Sequence, residues 1–251
     1  MRIQKYLRMC GITSRRKSEM LVKSGKVSVN GFVTYDYIDV SSEDDVRVEG
    51  KKVSFKSKVY YMFNKPRGYI TTKNDPQGRK TIFDLLNIEC DVFPIGRLDT
   101  DTEGLLLLTN DGDLAQKLLH PRYEVPRIYE AVINSQIDNG QIEDLKGGIS
   151  LPYGYTAKMK VKILSVDDKS TKIRIEIKEG KKREIRRAFK FLGHPIVSLK
   201  RISFGPIKID SHLKAGEYRM LNDFEIKQLI EYVKTENETQ NGSHRKTVEG
   251  G

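Results

Sequence analysis

Apolar and polar positions change their period several times along the chain, and each change marks an element. Ile3 and Leu7 stand one helical turn apart ahead of Gly11, which predicts a short helix over 3–7. Ser18, Leu21 and Val22 share one face of a second helix, which Thr13-Ser14 can cap, which runs to about Ser24 and which Gly25 closes. The pattern then turns to alternation in VSVNGFV around Asn30-Gly31, a strong hairpin signal, and a further strand is predicted in DVRVEGKKV.

Lys56-Ser57-Lys58 reads as a polar linker before the strand VYYMFNKP, which Pro66-Arg67-Gly68 breaks. NDPQGRK is a polar loop with a turn at Pro76-Gln77-Gly78, and a short helix is predicted near Ile82 to Leu86. The run Leu105 to Leu108 ends at Asn110-Asp111-Gly112, and DLAQKLLH is helical. RIYEAVI alternates as a strand, SQIDNGQIEDLKGG supplies a helix, and AKMKVKILSV and TKIRIEIKEG are strands, the latter with Ile173, Ile175 and Ile177 on one side. KREIRRAFKFLG is an amphipathic helix with Ile185, Ala188, Phe189 and Leu192 inward and Arg183, Arg187 and Lys190 outward. A strand pair follows in IVSLKRISFGPIKI. From Thr235 the chain is polar and aperiodic, the pattern of a disordered tail. The irregular interleaving predicts an α+β protein: a small domain over 1–58, a larger one over 59–234 on a largely antiparallel mixed sheet flanked by helices, and a tail over 235–251.

Composition sharpens this picture. The chain has 251 residues, 37% of them apolar, enough for a packed core. No run approaches the roughly 20 apolar residues of a membrane span, and the first residues lack a signal-peptide core, so a cytoplasmic location is expected. Cys10 and Cys90 and the four scattered histidines show no metal-binding spacing. Net charge is +11, and it is concentrated: residues 1–58 carry 13 Lys and Arg against 7 Asp and Glu, and residues 178–208 carry 10 against 2. Two basic regions point to two surfaces for a polyanion. Arg15, Arg16 and Lys17 occupy the first turn of a helix, where the macrodipole disfavours cations, a placement that serves phosphate contacts rather than helix stability.

Against this basic background, GRLDTDTEGLLLLTN sets Asp99, Asp101 and Glu103 before the four leucines. A calcium loop fits at its first positions only: the place of its obligatory glutamate is held by Asn110, and Pro94 and Gly96 stand where a helix is needed. A magnesium-dependent nuclease would need carboxylates from several elements. The remaining readings are a surface turn capped by Asp99, or one carboxylate doing covalent or acid–base chemistry beside an arginine, with the leucine run as the buried strand that fixes it.

GRLDTDTEGLLLLTNDG resembles the signature of the RsuA/RluB family of ribosomal RNA pseudouridine synthases. The resemblance extends through NKPRGYITTKNDPQGRKTIFDLL, PRIYEAVI and KEGKKREIRRAFKFLGHPIVSLKRISFGPI. SRRKSEMLVKSGKVSVNG is similar to the S4 RNA-binding domain, over residues 1 to about 55. It implies that Asp99 is catalytic, that Tyr129 stacks on the target base, and that Arg186, with Arg187 as the alternative, pairs with the aspartate. Arg2, Lys5, Arg15, Arg16, Lys26, Lys65, Arg67, Arg79, Arg97, Arg183 and Arg187 are candidate RNA contacts, while Asp101 and Glu103 fall to loop and strand-entry roles.

Uridine isomerisation involves no net redox change and no energy input, so neither cofactor nor metal is expected. The implied partner is ribosomal RNA, free or in an assembly particle, bound by a monomer. TKNDPQGRKTIFDLL and RISFGPIKI favour the large-subunit branch over the small-subunit one. A non-catalytic RNA-binding assembly factor is the rival from another class.

Overall fold

A computed structural model describes residues 1–12, 15–55, 57–152 and 155–245; the side chains of Arg15, Arg16 and 236–245 lie outside the described set, as do the proposed cap Thr13-Ser14 and the linker residue Lys56. The chain forms two compact units. The first comprises Met1–Val59, Ile88–Phe93 and Thr109–Gly112, and the second Tyr60–Asn87, Pro94–Leu108 and Asp113–Gly251.

In the first unit, helices α1 (Ile3–Met9) and α2 (Arg15–Lys23) accompany a four-stranded sheet of β1 (Val27–Val29), β2 (Phe32–Thr34), β3 (Val46–Val48) and β4 (Lys51–Lys52), in the order β2-β1-β3-β4. Asn30 and Gly31 both take positive φ, 52° and 87°, the conformation a two-residue turn between twisted antiparallel strands requires. DVRVEGKKV is two strands rather than one, because Glu49-Gly50 repeats that turn with φ of 48° and 77°. Ile3, Tyr6, Leu7, Val22, Val27 and Val46 form the centre of a core that this small module fills mainly with valine.

The second unit is built on one large mixed sheet. Its strands are β5 (Tyr60–Lys65), β6 (Phe93–Pro94), β7 (Glu103–Thr109), β8 (Arg127–Ile133), β11 (Lys160–Val166), β12 (Thr171–Ile177), β13 (Ile196–Phe204), β14 (Ile207–Lys208) and β15 (Tyr218–Met220). The order is β11-β12-β8-β13-β7-β5-β15, with β14 beside β13 and β6 beside β7. β9 (Ile149–Leu151) and β10 (Tyr155–Ala157) form a separate pair, and helices α3 (Gly112–Leu119), α4 (Asn139–Gly147), α5 (Glu184–Phe191) and α6 (Asp223–Arg245) complete the secondary structure with a 3₁₀ turn at Ile82–Leu85 and another at Pro121–Tyr123. α6 extends across 235–245, part of the segment whose polarity suggested disorder. Leu229 and Val233 are buried and anchor the helix, which continues past them.

Burial explains the sequence patterns. β12 alternates, with Ile173, Ile175 and Ile177 inward, whereas β7 does not: Leu105 to Leu108 are all at most 1% exposed. A strand covered on both faces reads as a continuous apolar run. β7 meets β13 in parallel, with Gly104 opposite Arg201. Gly104 has φ 100°, and a Cβ there would stand 2.3 Å from the Arg201 carbonyl oxygen. Gly104→Ala is therefore expected to cost about 3 kcal/mol, combining left-handed strain with a clash against backbone that cannot step aside. Urea denaturation checks this: the midpoint should fall with the slope unchanged.

Candidate active site

The turn that carries Asp99 is held from below. Lys65, at the end of β5, is completely buried, and its three ammonium protons go to three carbonyl oxygens: Pro66 at 3.0 Å, Asp99 at 3.1 Å and Thr102 at 2.9 Å. The Thr102 amide donates to the Asp99 carbonyl at 3.0 Å, closing the turn. The Thr71 hydroxyl donates to the Leu98 carbonyl and accepts from the Leu98 amide, and the Gly68 amide donates to the Thr100 carbonyl. The segment following β5 thus fixes the backbone on both sides of Asp99 and leaves its carboxylate free to face a cleft. Lys65 is not the RNA contact its charge suggested; a fully buried ammonium meets no phosphate.

The cleft has a volume of about 290 Å³, and Asp99, Thr102, Tyr129, Arg183, Glu184 and Arg186 are among its lining residues. Tyr129 comes from β8, whose alternation puts Arg127, Tyr129, Ala131 and Ile133 on the buried face; Tyr129 itself is 6% exposed. Both arginines come from the start of α5. Arg183 precedes the helix with a left-handed backbone, φ 52°, unusual for a residue with a side chain. Its guanidinium grips Asp101 with two parallel hydrogen bonds of 3.0 Å and lies 3.8 Å from Asp99. Arg186 reaches Asp101 as well, with Nε 3.2 Å from its carboxylate and Nη2 donating to its carbonyl at 2.8 Å, while Nη1 donates to the Ile196 carbonyl.

Arg183 lies 3.8 Å from Asp99, the charge of Arg186 also acts on Asp99, and both arginines hold Asp101. Two positively charged side chains converge where only one was anticipated, and one carboxylate is too few to hold both unless Asp101 joins in. Burial raises the affinity of Asp101 for a proton, but the Arg183 hydrogen bonds and the charges of Arg186 and Arg183 outweigh it, keeping this carboxyl below the usual range. Glu184 goes the other way. Buried at 3% exposure, with the Lys181 amide on its carboxylate, it is pushed above the usual range by desolvation.

Other cations expected to meet RNA have varied surroundings. Arg67 and Arg97 are exposed, and Arg97 lines the cleft. Arg79 is exposed but forked onto Asp75, at 2.6 and 3.0 Å. Arg187 is half-buried rather than outward: it lies 4.7 Å from the Tyr155 ring centre and donates to the Pro152 carbonyl, because β10 brings that aromatic ring to the outer side of α5. In the first unit, Arg2 donates to the Tyr37 carbonyl, Lys26 pairs with Glu49 at 2.6 Å, and Lys5 is exposed. The Arg15 and Arg16 side chains lie outside the described residues. Among the described residues no cluster of His, Cys, Asp and Glu could hold a metal ion, and no helix is long and apolar enough to cross a membrane.

A carboxylate held by its backbone in a cleft with a buried tyrosine and two arginines is the arrangement of an enzyme active site. Residues 59–191 match the family model for RNA pseudouridylate synthase, and the chain belongs to that family. It is 42% identical to ribosomal large subunit pseudouridine synthase B of Bacillus subtilis over 232 residues, 91% of this chain and 95% of the relative. It is also 42% identical to an uncharacterized RNA pseudouridine synthase of Aquifex aeolicus, covering 92% and 94% of the two chains. A crystal structure of a pseudouridylate synthase superposes with a TM-score of 0.66 at 26% identity, over 91% of this chain and 99% of the other. The protein is a pseudouridine synthase, an isomerase acting on RNA.

Burial lowers the Lys65 ammonium to about 8, with the charges of Asp101, Asp99 and Glu103 opposing the shift. An unperturbed lysine titrates near 10.4. Between those two pH values the unfolded chain holds one proton more than the folded one, so stability contributed at this residue rises as pH rises through that window. The Lys65 side-chain NMR signal, assigned by its loss in Lys65→Met, should titrate with a midpoint near 8; a midpoint above 10 would contradict the burial argument. Lys65→Met should also lower turnover by about tenfold or more through misplacement of the Asp99 turn, in a single-turnover assay.

Proposed function

We propose that this enzyme isomerises a uridine of large-subunit ribosomal RNA, with Asp99 as the catalytic carboxylate. The observation that carries the assignment is that Asp99 shares one small cleft with Tyr129 and Arg183 while its backbone is fixed by Lys65. The name of the Bacillus subtilis relative and the length of the match support the choice of large-subunit RNA.

The reaction breaks the bond between uracil N1 and ribose C1′, turns the base, joins C5 to C1′, and exchanges protons with solvent so that C5 loses one and N1 gains one. Asp99 takes up the ribose as it loses the base, either as an adduct or by removing a ribose proton to give a glycal. Arg183 lies 3.8 Å from the Asp99 carboxylate, and Arg186 shares Asp101 with it. A base stacked in a helix could not enter a cleft of this size, so the target uridine is unpaired or flipped, with Tyr129 against its face. No cofactor is needed.

The first unit serves as an S4-like module that holds structured RNA through phosphates, with Arg15 and Arg16 foremost, while the second examines one uridine. Residues 1–58 and 59–234 are the corresponding domains, and a monomer acting on free RNA or an assembly particle suffices.

Tritium release from large-subunit transcripts labelled at uridine C5 tests this. Wild type should release tritium without added metal, and Asp99→Asn should not, while binding RNA with nearly unchanged affinity. An equal loss of affinity in Asp99→Asn would sink the catalytic assignment. Arg15→Glu with Arg16→Glu should weaken RNA binding and flatten its dependence on salt, measured by filter binding from low to moderate ionic strength; an unchanged slope would remove these residues from the phosphate contacts.

A further inference from the structure

Two further arginines lie behind the cleft, and neither belongs to an ion pair among the described residues. Arg127 and Tyr129 stand two residues apart on β8 and share one face of the sheet, and Arg201 on β13, registered opposite Tyr129, shares it too. Arg127 is 8% exposed and Arg201 2%. Each guanidinium is bonded to a backbone carbonyl and to no carboxylate: Arg127 donates to Lys178 at 2.8 Å, Arg201 donates to Leu105 at 2.7 Å, and Nη2 of Arg201 has no partner. Both lie 5.3 Å from the ring centre of Phe204, close enough for their charges to repel. Two like charges withdrawn from water without a counter-charge weaken the folded state, and a guanidinium does not escape this by losing its proton. Apolar side chains would fill the same space without that cost.

The cleft wall in front of these charges is thin. Tyr129 and Leu199, on the same sheet face, line the cleft, and so does Gly180, where a Cβ would stand 3.7 Å from the Arg127 guanidinium carbon. Glu184 also lines the cleft and acts on Arg127 through its charge, but it makes no ion pair with it. Arg183 and Arg186 differ in this respect, because Asp99 and Asp101 offset their charges. Building on the assignment of uridine isomerisation to this cleft, we propose that Arg127 and Arg201 hold a fixed positive potential behind Tyr129 that stabilises the uracil anion while the base is detached. When the bond between N1 and C1′ breaks, the electron pair stays on N1 and the departing base is an anion, its charge spread onto O2 and O4. The ribose C1′ is taken by the Asp99 carboxylate or is relieved by loss of a ribose proton. A field needs no contact with the base, and burial strengthens it, because little water screens a charge enclosed by protein. It is in place before the anion forms, so nothing has to reorganise as charge develops. Neither arginine gives up a proton, and the charge is discharged when C5 has joined C1′, C5 has lost its proton and N1 has gained one from solvent.

The full-length protein should be compared as wild type, Arg127→Lys, Arg127→Met, Arg201→Lys and Arg201→Met on a large-subunit transcript, by single-turnover tritium release, filter binding over a salt series and thermal unfolding. At each position methionine should slow release about tenfold or more, the effect of removing one weakly screened charge from a developing anion. Lysine keeps the charge and gives up the planar fork, so its rate should stay within about threefold of wild type. RNA affinity should stay within about twofold in all four variants, because the anion does not exist on binding. Its slope against salt should be unchanged, because a guanidinium behind the wall neutralises no phosphate. The methionine variants should melt no lower than the lysine variants, because they bury no charge. A methionine variant with the wild-type rate overturns the inference. So does lysine as slow as methionine, or a rate that follows the melting temperature, since either would show that the packing of the guanidinium is what matters. A flattened salt slope overturns it by making the arginine a phosphate contact, and failure of both methionine variants to fold overturns it by making the charges structural. In these cases an active wild type beside an inactive Asp99→Asn leaves the uridine assignment standing. Wild type that releases no tritium from this transcript, or Asp99→Asn that still releases it, overturns that assignment and the inference with it.

Discussion

One buried ammonium determines the shape of this site. Lys65 carries a full charge to a place without water, where it is tolerable only because three backbone carbonyls receive its three protons. Those carbonyls belong to Pro66, Asp99 and Thr102, so the same bonds that make the lysine tolerable tie β5 to the turn before β7. Removing any of the three would leave a donor unsatisfied, and the arrangement therefore stands or falls as a unit. Asp99 obtains its rigidity from its main chain, and its side chain is left for chemistry.

The second layer is electrostatic. A positive charge under the turn and two guanidinium groups above it surround Asp99 and Asp101, so the carboxylates of an otherwise basic chain sit where cations need them. Asp101 accepts from Arg183 with both carboxylate oxygens while its Oδ2 also faces Arg186, which orients both groups and spares Asp99 from a closer, immobilising pair. The sheet supplies the remaining wall: β8 presents Tyr129, and the parallel approach of β7 to β13 at Gly104 packs the strand that follows the turn against its neighbour.

Much of this was legible in the sequence. The alternation of RIYEAVI and TKIRIEIKEG, the Asn30-Gly31 turn and the uninterrupted leucines of β7 all follow from local rules, because each pattern depends only on which faces are buried. Asp99 and Tyr129 were singled out through family resemblance, not through periodicity. What escaped was set by contacts distant in sequence. The charge of Lys65 suggested a surface, but it ends a strand whose preceding residues, Met62 and Phe63, are wholly buried, and that apolar setting was the available signal. Asp101 was passed over because a loop acidic residue usually faces solvent, and nothing local announces that Arg183 and Arg186 arrive from more than 80 residues away. Arg183 was read as an outward helical position for the same reason: it precedes α5 in a left-handed conformation, where helical periodicity no longer tells which way a side chain points.

That left-handed backbone at Arg183 also bears on how such an enzyme can be made sturdier. A search for stabilising substitutions would choose this position early, because glycine adopts positive φ at no steric cost and asparagine at a reduced one. Either replacement would remove the guanidinium that spans Asp99 and Asp101. The conformational strain and the charge are properties of one residue, so a thermostable version of this protein has to gain its stability elsewhere in the molecule.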